Sequence, residues 1–399
     1  MTASRVLVLN SGSSSLKYQL LDMADGSRPA AGLVERIGEE SSRLVHEPAG
    51  GAKREQLGPI ADHDAALKAV AAELAADGMG LDSPELAAVG HRVVHGGTRF
   101  TRPTVIDDEV LAEIRALVPL APLHNPANIT GIEVARALRA DLPQVAVFDT
   151  AFHATIPDYA AQYAIDAETA ARYAIRRYGF HGTSHAYVSR AAAGLLDKAP
   201  EDVNVIVLHL GNGASASAVR GGVCVDTSMG LTPLEGLVMG TRSGDLDPAV
   251  VFHLARVGGM SVDEIDSLLN KKSGLLGLCG DNDMREVLRR AGKGDEAARN
   301  AFATYVHRLK KYIGAYAAVL GRVDAVVFTA GVGENAAAVR EAAVAGLEEL
   351  GLALDLEANA ERSSRPRLIS AEYARVAVAV IPTDEELEIA TQAYELVTQ

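Results

Sequence analysis

Three short stretches carry the residue types needed to surround an anion. Asn10-Ser11-Gly12-Ser13-Ser14-Ser15-Leu16-Lys17 lies between the apolar runs 6–9 and 18–21, Gly211-Asn212-Gly213 follows the apolar run 203–210, and Gly331-Val332-Gly333-Glu334-Asn335 follows the run 323–329. Glycine lets a backbone approach a ligand closely or adopt positive φ. Successive N–H groups, joined by serine hydroxyls, form a concave nest for a phosphate, and Lys17 adds a mobile positive charge. Taken alone, the first stretch also reads as an ordinary polar hairpin loop. Phosphate handling becomes the stronger reading because the arrangement recurs.

Two of these turns also spell G-x-G-x-x-A, at 211–216 and 331–336, and Asp355 lies about twenty residues beyond the second, as a dinucleotide site requires. That reading fails on context. After Gly213 the alternating Ala/Ser/Val pattern predicts a strand where a helix is needed, and a dehydrogenase would leave the 10–17 turn without a role. No G-x-x-x-x-G-K-[ST] sequence occurs, which excludes a P-loop.

The elements that must hold these turns follow from periodicity. Strands are expected at 6–9, 18–21, 32–37, 43–46, 86–89 and 145–148, with helices near 62–76, from Asp107 to Pro119, and after the turn Pro122–Pro126. The pattern then restarts: strands at 203–210, 214–219 and 223–226, helices from 248 to 321 including a long one from Asp295 to Leu320, a strand at 323–329, a helix from 336 to 350, and a last strand at 376–381. Strand, glycine turn, strand is thus repeated, which predicts a structural duplication and an α/β fold of two domains, 1–150 and 151–383. Thr383 and Glu386 read as a capping box opening a final helix, 384–399, expected to return to the first domain.

Composition narrows the class. Among 399 residues, 48% are hydrophobic and 23% charged, the balance of a globular protein. A formal charge of −14 argues against nucleic-acid and anionic-membrane partners, so an anionic ligand must be held by a local basic site. No run reaches the length of a membrane span and no secretory h-region is evident, so a cytoplasmic protein is expected. Cys224 and Cys279 have no neighbour at redox or metal-ligand spacing and read as reduced structural thiols. His181 and His185, at i and i+4 without an intervening Glu, are weak candidates for zinc.

ATP handled by several glycine turns of duplicated strand units, without a P-loop, is the design of the actin, sugar-kinase and heat-shock ATPase superfamily. Within it, the 6–17 segment, Gly90-His91-Arg92-Val93-Val94-His95-Gly96-Gly97, Phe148-Asp149-Thr150-Ala151-Phe152-His153, the 178–185 run, His209-Leu210-Gly211-Asn212-Gly213, Met239-Gly240-Thr241-Arg242-Ser243-Gly244-Asp245 and Phe328-Thr329-Ala330-Gly331-Val332-Gly333-Glu334-Asn335 together resemble the acetate kinase family, in order and across the chain. The resemblance implies two duplicated ribonuclease H-like (actin-like ATPase) domains with a cleft between them, and reversible transfer of the ATP γ-phosphoryl group to acetate. It further implies Mg²⁺, with Mn²⁺ as an alternative, ATP or ADP as co-substrate, and a homodimer.

By that resemblance Arg92, Asp149, His181 and Arg242 are catalytic, and Arg92, Val94, Leu123, Phe180 and Pro233 bind acetate, the last four around its methyl group. Lys17, the 209–213 segment, Asp283-Met284-Arg285 and the 331–335 turn bind nucleotide, while Asn10 and Glu385 hold the metal. These types suit the reaction. Acetate is ionised at neutral pH, with a pKa of roughly 4 to 5 like a Glu side chain, so a general base has little to do. Cations and fixed donors around the moving phosphoryl group should carry catalysis. Asp149 is therefore expected to orient an arginine or the hydrated metal. Rival readings are a propionate kinase, since one methylene is worth only roughly 1 to 3 kcal/mol, a sugar kinase, and a noncatalytic actin- or chaperone-like ATPase.

Overall fold

A computed structural model describes residues 3–122 and 124–399. The chain divides into two compact units, Met1–Phe152 with Asp384–Gln399, and His153–Thr383.

In the first unit the strands are β1 (Arg5–Ser11), β2 (Ser15–Asp22), β3 (Ala30–Glu35), β4 (Arg43–Pro48), β5 (Arg54–Leu57), β6 (Leu86–Val93), β7 (Thr104–Val105) and β8 (Gln144–Phe148). They form one sheet in the order β5-β4-β3-β2-β1-β6-β8-β7. The period-two alternation of β1 divides it between two cores. Leu7 and Leu9 pack with Leu67, Val70 and Leu74 of the helix His63–Ala76. Val6 and Val8 pack with Val145, Val147 and, from the helix Glu385–Thr398, Ile389, Ala390 and Ala393. Gly90 permits that helix to lie close, because a Cβ there would stand 2.9 Å from Ile389 Cγ2.

The second unit has β9 (Asn204–Leu210), β10 (Ala214–Arg220), β11 (Val223–Thr227), β12 (Ala325–Thr329), β13 (Arg367–Leu368) and β14 (Ala377–Val380), in the order β11-β10-β9-β12-β14-β13. Its antiparallel β9–β10 and β10–β11 pairs and parallel β9–β12 and β12–β14 pairs repeat the β1–β2, β2–β3, β1–β6 and β6–β8 pairings of the first sheet. The duplication is one of topology, carried by apolar alternation and glycine turns more than by residue identity.

Three local expectations are corrected. The 331–335 segment is a short helix, Ala330–Asn335, entered through Ala330 at φ 63°. The next helix covers only Ala337–Val344, because Gly346 takes φ 78° and turns the chain before a 3₁₀ turn at Glu348–Leu350. Thr383 does not cap the last helix: its hydroxyl lies 2.7 Å from Ser184 Oγ, and Asp384 is the cap, its Oδ1 accepting from Leu387 N at 3.1 Å.

Candidate active site

In the first unit the chemistry gathers at the carboxyl ends of parallel strands, where open α/β sheets bind ligands. Arg92 is the penultimate residue of β6, and Asp149 follows β8 directly, its N–H bonded to the Val93 carbonyl at 3.0 Å. Parallel registry therefore sets the two side chains side by side. Arg92 Nε donates to Asp149 Oδ1 at 3.0 Å and Nη2 to Oδ2 at 2.5 Å, a two-point clamp. Arg92 Nη1 also reaches Asn10 Oδ1 at 3.4 Å, and Glu385 Oε2 stands 4.0 Å from Nε. Asp149 is buried; burial pushes its carboxyl above the ordinary value while Arg92 pulls it back. Lys17 is ion-paired with Glu386 at the start of the last helix.

Asparagine side chains fix the backbone behind this cluster. From the helix Asn125–Leu138, Asn128 accepts from Val94 N at 3.1 Å and donates to the Ser11 carbonyl at 2.8 Å, tying β6 to the end of β1. Val94 is buried. Leu123 lies outside the described residues.

Magnesium takes oxygen ligands, keeps several waters and needs only one or two protein groups. The Asn10 amide oxygen and the Glu385 carboxylate, both close to Arg92, fit that donor chemistry.

The second unit gathers the remaining predicted residues. His181 sits at φ 58°, left-handed and uncommon for a residue with a Cβ, immediately before the helix Gly182–Leu195. Its Nδ1 is 2.9 Å from Ser215 Oγ, and its ring stacks on His209 with centroids 4.2 Å apart. A Cβ on Gly213 would meet His181 Nε2 at 3.5 Å and Arg242 Nη1 at 3.6 Å, so both groups border that glycine turn. Arg242 Nη1 donates to the Pro233 carbonyl at 3.0 Å, and burial lowers its pKa. Among the described residues no carboxylate pairs with Arg242. Phe180 is buried, and its carbonyl stands 2.9 Å from His153 Nε2.

The glycine turns of this unit border a cavity of about 740 Å³, lined by Gly211, Asn212, Gly240, Asp283, Met284, Arg285, Gly331, Val332 and Asn335 among others. Gly240 leaves room there: its N–H donates to the Asn212 carbonyl at 2.9 Å, and a Cβ would force the Asn212 side chain to move. Asp283 caps the helix Met284–Gly292 and pairs with Arg285, whose side chain is exposed. Glu334 turns to the Thr383 N–H at 3.3 Å, and burial raises its pKa. His209 Nδ1 bonds Ser184 Oγ at 2.8 Å; Leu210 is fully buried, leaving only its backbone to meet a ligand.

Sequence reasoning missed Leu275, Leu288, Tyr305 and Arg362, which also line the cavity. Tyr305 belongs to the apolar stripe of the helix Glu296–Leu320 and reads as core, and Arg362 lies in an irregular stretch with no motif. Arg340 was missed as well. It is buried, its Nη1 donating to the Gly333 and Glu334 carbonyls at 2.9 Å each and its Nε to Asn359 Oδ1 at 2.7 Å, so it staples the end of the Ala330–Asn335 helix. Asp355 caps the helix Leu356–Ala360, and Gly213 opens directly into β10, which removes both supports of a dinucleotide site.

The sequence from residue 5 to residue 391 matches the model of the acetokinase family. The chain belongs to that family. It is 78% identical over 400 residues to the acetate kinase of Streptomyces griseus, covering 100% of this chain and 97% of that protein. Among solved structures it resembles Porphyromonas gingivalis acetate kinase, with TM-score 0.94, 43% identity and 100% of both chains covered. It also resembles a propionate kinase from Francisella tularensis, with TM-score 0.92, 44% identity and 98% of both chains covered. The acetokinase fold is the duplicated actin-like one, as the two sheet orders show here. Among the described residues no helix is long and apolar enough to cross a membrane.

Proposed function

We propose that this chain is an ATP-dependent phosphotransferase that moves the γ-phosphoryl group reversibly to acetate, giving acetyl phosphate and ADP. The observation that carries this reading is Arg242, a partly buried guanidinium beside His181 and the Asn212-Gly213 turn, with no carboxylate paired to it among the described residues. A fixed cation away from bulk water stabilises developing anionic charge strongly, and among the described residues it has no carboxylate to release first.

The acceptor is already an anion, so the difficulty is to bring it to a polyanion in line. Arg92, held by Asp149, binds the acetate carboxylate, and Val94, Leu123, Phe180 and Pro233 enclose the methyl. Arg242, the His181 ring and the Asn212 amide stabilise the equatorial oxygens. Lys17 contacts phosphate, while His209, Leu210, Gly211, Gly213, Asp283, Met284, Arg285 and residues 331–335 of the Ala330–Asn335 helix hold the nucleotide. Asn10 and Glu385 would hold Mg²⁺, or Mn²⁺, which supplies charge neutralisation at the phosphates. Asp149 orients Arg92 and transfers no proton. The family resemblance carries with it a homodimer, and the formal charge of −14 argues against nucleic-acid and anionic-membrane partners.

Hydroxamate trapping of acetyl phosphate tests the assignment. Wild type should turn over acetate with a higher kcat/KM than propionate, and Arg92→Ala and Arg242→Ala should each lose most activity. A preference for propionate would overturn the substrate assignment. Equal ATP consumption with and without a carboxylate would overturn the reaction.

A further inference from the structure

Ser215, on β10, lies between two imidazoles: its Oγ is 2.9 Å from His181 Nδ1 and 2.7 Å from His185 Nε2. Ser215 and His185 are fully buried. A hydroxyl has one proton, and among the described residues these two rings are the only partners of the buried Ser215 Oγ, so it donates to one ring and accepts from the other rather than leaving its own proton unpaired. The direction decides which nitrogen of His181 carries hydrogen.

His185 settles it. Its pKa is held well below the ordinary value by burial and by the neighbouring His153 and His209, so the ring is neutral with a single N–H. Its Nδ1 is buried and has no hydrogen-bond partner among the described residues. A proton there would leave a donor unmade, and buried orphan N–H groups are rarer than under-used acceptors. The proton therefore belongs on Nε2, donating to Ser215 Oγ. The Ser215 hydroxyl must then donate onward to His181 Nδ1.

We infer that Ser215 is a positioning residue that, backed by His185, fixes His181 as its Nε2–H tautomer, turning a donor toward the Gly213 turn where Nε2 lies. Resting on the proposed reaction, the inference explains how His181 meets a phosphoryl oxygen. An Nε2 lone pair would repel that oxygen, whereas Nε2–H donates to it. The left-handed backbone of His181 and the His209 stack hold the ring in place. Ser215, fully buried, acts through His181, as the outer partner of a histidine commonly fixes its tautomer.

A double-mutant cycle tests it. Ser215→Ala should lower kcat about tenfold or more with KM for ATP changed less than about twofold, and in a His181→Ala background the same change should alter kcat by less than about twofold. Equal losses in both backgrounds would overturn the inference. Should Ser215→Ala fail to fold, Ser215→Cys, similar in volume but a weak donor, serves in the same cycle. Independently of turnover, ¹⁵N spectra of histidine-labelled wild type should show His181 Nδ1 unprotonated and Nε2 protonated at neutral pH, and the reverse pattern would refute it. A wild type inactive on every carboxylate would sink the proposed reaction, leaving the tautomer measurement to decide this one.

Discussion

Replacing Asp149 with Asn separates an orienting role from a proton-transferring one. The carboxylate receives two hydrogen bonds from Arg92, at 3.0 and 2.5 Å, and its side chain is only 1% exposed. Asn keeps one acceptor and turns an NH₂ donor toward a guanidinium donor. Removing one partner of a buried ion pair typically costs about 3 to 5 kcal/mol. Arg92 is 21% exposed, and Glu385 at 4.0 Å can take part of its charge. The expected loss is therefore lower, about 2 to 3 kcal/mol. Urea unfolding followed by far-ultraviolet circular dichroism measures it, the chain having no Trp. If the same energy is lost from Arg92's grip on acetate, kcat/KM falls about 30- to 160-fold. Acetate binding is shared by ground and transition states, so the loss should lie in KM for acetate, with KM for ATP nearly unchanged. A stability change below about 0.5 kcal/mol, smaller than most altered buried contacts give, would refute the reasoning about the clamp. A fall in kcat at unchanged KM for acetate would refute the orienting role.

Stability should also drop steeply in mild acid. Burial lowers His91, His95 and His153 to about 4, while the unfolded chain titrates near 6.5. A depressed folded pKa gives stability that is complete above the unfolded value and lost as pH falls through the folded one, up to about 3 kcal/mol per histidine. Urea midpoints at pH 7, 5.5 and 4.5 should decline progressively, and a flat series would contradict this. Gly90→Ala should cost about 1 to 3 kcal/mol, since its Cβ would stand 2.9 Å from Ile389 Cγ2 and the last helix must shift; an unchanged melting temperature would show that the helix has room. Tyr305→Phe should leave stability unchanged or raise it by up to about 1 kcal/mol, because the buried phenol oxygen has no hydrogen-bond partner among the described residues. A loss above about 1 kcal/mol would reveal a partner for that hydroxyl.

The sequence by itself determined the elements and the chemistry of the turns. Period-two alternation sorts Val6 and Val8 from Leu7 and Leu9, and the two cores of the first sheet follow that division. Glycine marks places where the chain must leave room for a neighbour, as at Gly240 against the Asn212 side chain. Boundaries were less legible when two local devices competed. Thr383 and Asp384 could each cap the last helix, and Ser184, 199 residues away, took the Thr383 hydroxyl. Only the tertiary structure decided which groups face one another. Arg92 meets Asp149 because β6 and β8 are parallel neighbours in a fixed register, a relation no local pattern carries. Ser215 reads as one of the small residues of a strand, and only folding sets it between two histidines of another segment. Residue types fix which bonds can form, and long-range pairing selects which do, because burial leaves a donor or acceptor few partners within reach.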